Sequence, residues 1–257
     1  MRSFADDDAA LRLTGLSKAF GASLAADRID LEVPRGAFLG LVGQNGAGKT
    51  TTLSMAVGLL RPDAGSAHVF GIDVWEEPDA AKALIGVLPD GLAMPERLTG
   101  REVLTYLGLL RGLPESTVGR RAEELLSVLG LDRAEKTLVI EYSTGMRKKI
   151  DLAAALLHAP RLLVLDEPFE AVDPVSAATI KTILRGFVAG GGSIVLSSHV
   201  MALVEQLCDH VAVIDGGRVA AAGTLEEIRE GRSLEERFVQ LVNAEGGGVK
   251  ELAWLSR

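Results

Sequence analysis

Short apolar runs alternate with segments of helical period along this chain, the pattern of a parallel sheet covered on both faces. The runs occupy residues 37–42, 84–89, 162–165 and 194–196. Between them, Leu53, Val57 and Leu60 recur at helical spacing and predict a helix that runs up to Pro62. Val103, Leu107 and Leu110 predict a second helix, and Ala122, Leu125, Leu126 and Leu129 a third. Ile150, Ala153, Ala154 and Leu157 predict a fourth, opened by Ser143-Thr144, good N-cap residue types. No strand signal of equal strength interrupts residues 91–157, which read as a helical insertion in an α/β domain. A further helix through Ile180, Ile183 and Leu184 follows Pro174 and ends at Gly190-Gly191-Gly192.

The two ends of the chain read differently. Residues 11–33 alternate in a β-like way, with a turn at Phe20-Gly21 and a close at Pro34-Arg35-Gly36. Residues 66–72 form a second β-like stretch. Residues 211–214 and 218–221, around Asp215-Gly216-Gly217, read as a hairpin. From 225 to 242 charged and apolar residues alternate, and Gly246-Gly247-Gly248 loosens the C-terminal end. The expected layout is one domain over 1–242 and a flexible tail over 243–257, with no internal repeat.

Composition narrows the function classes. A net charge of −8, without a basic stripe interleaved with aromatics, argues against nucleic acid as the main partner. The run Arg147-Lys148-Lys149 reads as a solvated helix face. Cys208 is the sole cysteine, so no intrachain disulfide forms and a reducing compartment is the simplest home. Residues 1–10 carry Asp6-Asp7-Asp8 and no apolar core, unlike a signal peptide. The longest apolar candidate, residues 152–165, is broken by His158, Pro160 and Arg161, so a membrane role calls for a separate partner.

Chemistry concentrates in Gly43-Gln44-Asn45-Gly46-Ala47-Gly48-Lys49-Thr50-Thr51, which fits the phosphate-loop pattern between a buried strand and a helix. Glycines let successive N–H groups converge on a phosphate chain at a helix N-terminus. Lys49 is suited to the β- and γ-phosphates, Thr50 to Mg²⁺ and Thr51 to the α-phosphate. The strand at Leu162–Leu165 runs into Asp166 and Glu167, and ligands of open α/β sheets gather at such carboxyl ends. Asp166, next to the strand, is the metal candidate, and Glu167 the general base for water. His199 ends another buried strand on the same side, while His68, His158 and His210 read as structural. Phe20, from the residue alone, is a core or turn aromatic.

With these pieces placed, the chain resembles the ATP-binding cassette (ABC) ATPases, the motor subunits of ABC transporters, over about residues 11–242. The resemblance implies a P-loop NTPase (RecA-like) core with an antiparallel β subdomain and a helical insertion. It implies that Glu167 is the catalytic glutamate, that His199 contacts the γ-phosphate, and that Phe20 stacks on adenine. Tyr142-Ser143-Thr144-Gly145-Met146 stands at the family's Leu-Ser-Gly-Gly-Gln signature. Ser143 and Gly145 are retained there for the γ-phosphate of a second copy, Thr144 replaces a glycine and Met146 a glutamine. Asp90 stands at the family's glutamine, where it is expected to act on the metal, and Glu170 replaces a common serine. The implied assembly is a head-to-tail homodimer holding ATP and Mg²⁺ and bound to a transmembrane permease. The implied location is cytoplasmic, on the inner face of the membrane. The C-terminal stretch, with Ser233-Leu234-Glu235-Glu236-Arg237-Phe238, resembles single-cassette subunits of bacterial exporters. A soluble ABC-type ATPase and a nucleotide-dependent regulatory module remain as alternatives.

Overall fold

The computed structural model describes residues 9–91 and 94–243; of the tail expected over 243–257, Asn243 ends the last helix and the rest lies outside the described residues. The chain opens with β1 (Ala9–Phe20) and β2 (Ser23–Pro34), an antiparallel pair. β3 (Phe38–Val42) leads into α1 (Lys49–Ala56), followed by β4 (Ala64–Val69), β5 (Ile72–Asp73), α2 (Pro78–Leu84) and β6 (Ile85–Leu88). The insertion contributes α3 (Gly100–Leu110), α4 (Glu115–Val128) and α5 (Thr144–Leu156). The core resumes with β7 (Leu162–Leu165), α6 (Pro174–Ala189), β8 (Ser193–Ser198), α7 (Met201–Leu207), β9 (His210–Asp215) and β10 (Arg218–Thr224). Two helices, α8 (Leu225–Arg229) and α9 (Leu234–Asn243), close the described chain.

Two sheets result. The first, in the order β2-β1-β4-β5, is antiparallel. The second, in the order β10-β9-β3-β8-β7-β6, is parallel apart from its β10 edge. Every residue of β3, β7 and β8 is buried, which explains why these strands read as unbroken apolar runs. Their side chains alternate between two cores. Phe38, Leu163, Leu165, Ile194 and Leu196 pack with the insertion and with α6 and α7. Leu39, Leu41, Leu162, Val164 and Val195 pack with α1 and the antiparallel sheet. The parallel sheet is therefore the wall between two hydrophobic compartments. The α/β core, antiparallel subdomain and helical insertion agree with the expected architecture.

Some local expectations change. The helix expected to reach Leu60 stops at Ala56, and Gly58 turns at φ +77°. The amides of Leu59 and Leu60 then fold back onto the Ser54 carbonyl at 2.9 and 3.0 Å. A side chain at Gly58 would also meet Val74, its Cβ 2.9 Å from Cγ1. The β-like stretch at 66–72 is two short strands, β4 and β5, separated by Phe70-Gly71. The run at 84–89 yields a strand only over Ile85–Leu88, because Leu84 closes α2. Phe20 is 54% exposed, so it is a turn residue and not a core aromatic.

Candidate nucleotide site

The phosphate loop connects β3 to α1 at the carboxyl end of the sheet. Gly48 caps α1 at φ +104°, a left-handed conformation suited to glycine, and no side chain caps the helix. A Cβ there would lie 2.3 Å from the Ala25 carbonyl oxygen of β2. The first turn of α1 contains no acidic residue to oppose an anion favoured by the helix dipole. The Lys49 ammonium sits inside the loop, donating to the carbonyls of Gly43 at 2.8 Å and Gln44 at 3.2 Å.

A cavity of about 330 Å³ opens over this loop. Asn45, Gly46, Gly48, Lys49, Thr50 and Thr51 form its floor, and Asp90, Glu167, Glu170 and His199 rise around it. Residues far apart in sequence thus converge as the strand-end argument requires. Glu167 joins the walls: Oε1 lies 3.7 Å from Lys49 Nζ and Oε2 lies 3.1 Å from His199 Nδ1. Its backbone is in the left-handed region at φ +45°, uncommon for a residue with a side chain. The buried Ser197 hydroxyl accepts from the Glu167 amide at 2.8 Å and donates to Asp166 Oδ1 at 2.5 Å. One serine therefore orders both acidic residues.

The signature residues belong to a different part of the surface. Ser143 caps α5, its hydroxyl accepting from the Met146 amide at 3.3 Å. Gly145 stands against the start of α6, where a Cβ would lie 2.6 Å from Asp173 Oδ2 and 2.8 Å from Ser176 Oγ. Asp173 caps α6 through the amides of Val175 and Ser176, and bonds from the Ser176 hydroxyl and amide lower its pKa. Arg147 staples the approach to α5 through the carbonyls of Ile140 at 2.8 Å and Tyr142 at 3.3 Å. Neither Ser143 nor Gly145 lines the cavity, and neither does Phe20.

A hard-oxygen set suited to Mg²⁺ is present: Thr50 and Asp90 line the cavity, and Asp166 lies behind it, tied through Ser197 to Glu167. Among the described residues no group of three or more His, Cys, Asp or Glu could hold a metal unaided. The other histidines are elsewhere. His158 Nε2 lies 3.0 Å from the Ile85 carbonyl, and burial, assisted by Arg111, lowers its pKa to about 4. His210 Nδ1 lies 2.7 Å from Asp209, and His68 Nε2 lies 3.6 Å from Asp73.

The family model described as ABC transporter matches residues 26–170. The chain belongs to the ABC transporter family. It is 42% identical over 220 residues to the daunorubicin/doxorubicin resistance ATP-binding protein DrrA of Streptomyces peucetius, covering 86% of this chain and 67% of that one. It is 37% identical over 218 residues to Nod factor export ATP-binding protein I of Ralstonia nicotianae, covering 85% and 68%. A solved ATP-binding subunit of an ABC transporter superimposes with a TM-score of 0.83 at 32% identity, covering 90% of this chain and 98% of that one. The chain is accordingly an ATP-binding, ATP-hydrolysing cassette. In this ABC transporter ATPase, three site features escape a reading of the sequence. Glu170 is visible there only as a departure, and Ala25 reaches the loop from β2. Ser197 stands in the Ser197-Ser198-His199 strand end, but its link to Asp166 spans 31 positions.

Proposed function

We propose that this ATPase powers export through a separate transmembrane permease, paired head to tail with a second copy of itself. The carrying observation is a half-built site. One cavity gathers Lys49, Thr50, Asp90, Glu167 and His199, while Ser143 and Gly145 lie outside it. A second chain presenting its α5 N-terminus to the γ-phosphate would complete the pocket. Names of relatives support export, one in drug resistance and one in Nod factor export. No helix among the described residues is long and apolar enough to cross a membrane, which agrees with a partner supplying the spans. The working location is the cytoplasmic face of the membrane. One domain carries this function over 1–242, with the helical insertion over about 91–157.

Each residue then has a stated task. The amides of Gly43, Gln44, Asn45, Gly46, Ala47 and Gly48 surround the phosphates, and Thr51 bonds the α-phosphate. Lys49 exchanges its loop carbonyls for β- and γ-oxygens. Phe20, exposed at the β1–β2 turn, stacks on adenine. Thr50, Asp166 and Asp90 hold Mg²⁺, which when bound neutralises charge on the phosphates. Glu167 accepts a proton from the attacking water, and His199, 3.1 Å from that carboxylate, orients it and faces the γ-phosphate. Lys49 and His199 stabilise charge on the transferred group. ATPase rate measured against protein concentration tests the pairing. A rate rising faster than linearly and lost in Glu167→Gln is expected, with an ATP-bound dimer. A strictly linear rate with no dimer would overturn it.

A further inference from the structure

Glu167 is held by contacts that the reaction itself does not use. Its backbone sits at φ +45°, a conformation sparsely populated by residues with a side chain, which neighbours must hold in place. The core supplies one restraint, the Ser197 hydroxyl on the Glu167 amide at 2.8 Å. The Glu170 amide supplies a local one, on the Glu167 carbonyl at 3.2 Å. A third arrives from outside the core: Lys148 Nζ donates to that same carbonyl at 3.3 Å.

Lys148 stands on α5, about one turn along the helix from Ser143 and Gly145. Its neighbours on that helix frame it. Arg147 is committed to the loop that precedes α5, and Lys149 is buried with its charge acting on Asp173. Lys148 is partly buried and directed toward the catalytic loop. In the proposed head-to-tail pair, this one helix would therefore lie between two nucleotide sites, in contact with Glu167 of its own. Its N-terminus serves the ATP of the second copy, and its second turn grips the residue that serves its own.

We propose that Lys148 is a positioning residue that ties the Glu167 backbone to the signature helix, so that the catalytic carboxylate of one site senses the helix engaged by the other. The inference rests on Glu167 acting as the base. When α5 is drawn up by a γ-phosphate, the Lys148 bond keeps Glu167 in its left-handed setting with the carboxylate facing the cavity. Without it, the Glu167 backbone keeps the Ser197 bond and its internal turn, and the carboxylate keeps Lys49 and His199.

The test compares the full chain with Lys148→Met, Lys148→Arg, Glu167→Gln and the Lys148→Met/Glu167→Gln double variant, using Mg·ATP. Lys148→Met is expected to lower kcat about tenfold, the value of one hydrogen bond to a charged group, with KM changed by less than about twofold. Lys148→Arg, which retains a donor, should recover most of the rate. The double variant should be no slower than Glu167→Gln alone, because both act through one group. Amide exchange at Glu167, read by NMR, should quicken in Lys148→Met, and this readout needs no turnover. Unchanged exchange in Lys148→Met, or a rise in KM with kcat intact, would overturn the proposal. Glu167→Gln hydrolysing at the wild-type rate would instead overturn the base assignment, whatever Lys148 does.

Discussion

Two helix N-termini are assigned phosphate contacts in the proposed function, and they are finished differently. α1 begins at a left-handed glycine with no side chain on its free amides and no acid in its first turn. α5 begins at Ser143, whose hydroxyl already occupies the Met146 amide. The first end is committed: no side chain of its own caps those donors, and the Lys49 charge is fixed beneath them. The second end is self-sufficient, and its cap is a long 3.3 Å bond that a phosphate oxygen can displace. In the proposed pair, the first terminus holds the phosphates of its own chain's nucleotide and the second engages and releases those of the other copy. That is the division of labour expected of a site shared between two copies.

The largest effect should come from the wall above α1. Glu167→Gln should cut ATP turnover by about a thousandfold while leaving ATP binding measurable by equilibrium titration. Lys49→Ala should reduce turnover by at least about a hundredfold and weaken ATP binding as well. If both variants bound ATP equally well, the committed character of the first terminus would be disproved.

The next effect separates the helices by electrostatics. α5 carries Asp151, whose burial raises its pKa to about 6 against the pull of Lys148 and Arg147. Its contribution to stability is full below its unfolded value of 3.8 and is lost as pH rises through 6. His158 runs the other way. Its folded pKa of about 4 lies below the unfolded 6.5, so its contribution is full above 6.5 and is lost as pH falls through 4. The two trends oppose each other between pH 4 and 6. Asp151→Asn should stabilise the fold above pH 6 by up to about 3 kcal/mol and expose the rising trend of His158. Thermal melts of the two proteins from pH 4 to 7 would show it, and parallel curves would refute it.

Ser143→Ala should give the smallest change. Loss of the cap should lower stability by about 1 kcal/mol, and loss of the γ-phosphate contact should slow turnover about tenfold without altering monomer binding of ATP. A drop in monomer affinity would place Ser143 in its own chain's pocket and dissolve the comparison.

The same contrast explains what can be read from residues alone. The phosphate loop, the Asp166-Glu167 strand end and the hairpin at β9 and β10 are legible because local sequence encodes them. The short helices α2 and α7 are not, since seven residues give no dependable period. Better local signals are present: Gly58 marks the true end of α1, and Thr224 with Glu227 forms a capping box that starts α8. The bonds that join Glu167 to Ser197 and to Lys148 cannot be read, because they link positions 30 and 19 residues apart across separate elements. Ser143 is legible as a cap, but its distance from the cavity becomes visible only in three dimensions.

β3 has a consequence for how the chain comes into being. It lies between β8 and β9, so the strand delivering the phosphate loop is made early and both its neighbours come from the last part of the described chain. Gly217 then closes the loop from outside, its amide donating to the Ala47 carbonyl at 3.0 Å. At about 5–20 residues per second, a nascent chain holds an unflanked nucleotide loop for on the order of 10 s. Chains arrested on the ribosome before residue 210 should fail to retain ATP, and those arrested after β10 has emerged should retain it. Nucleotide retention is thus expected to wait until β8, β9 and β10 flank the phosphate loop.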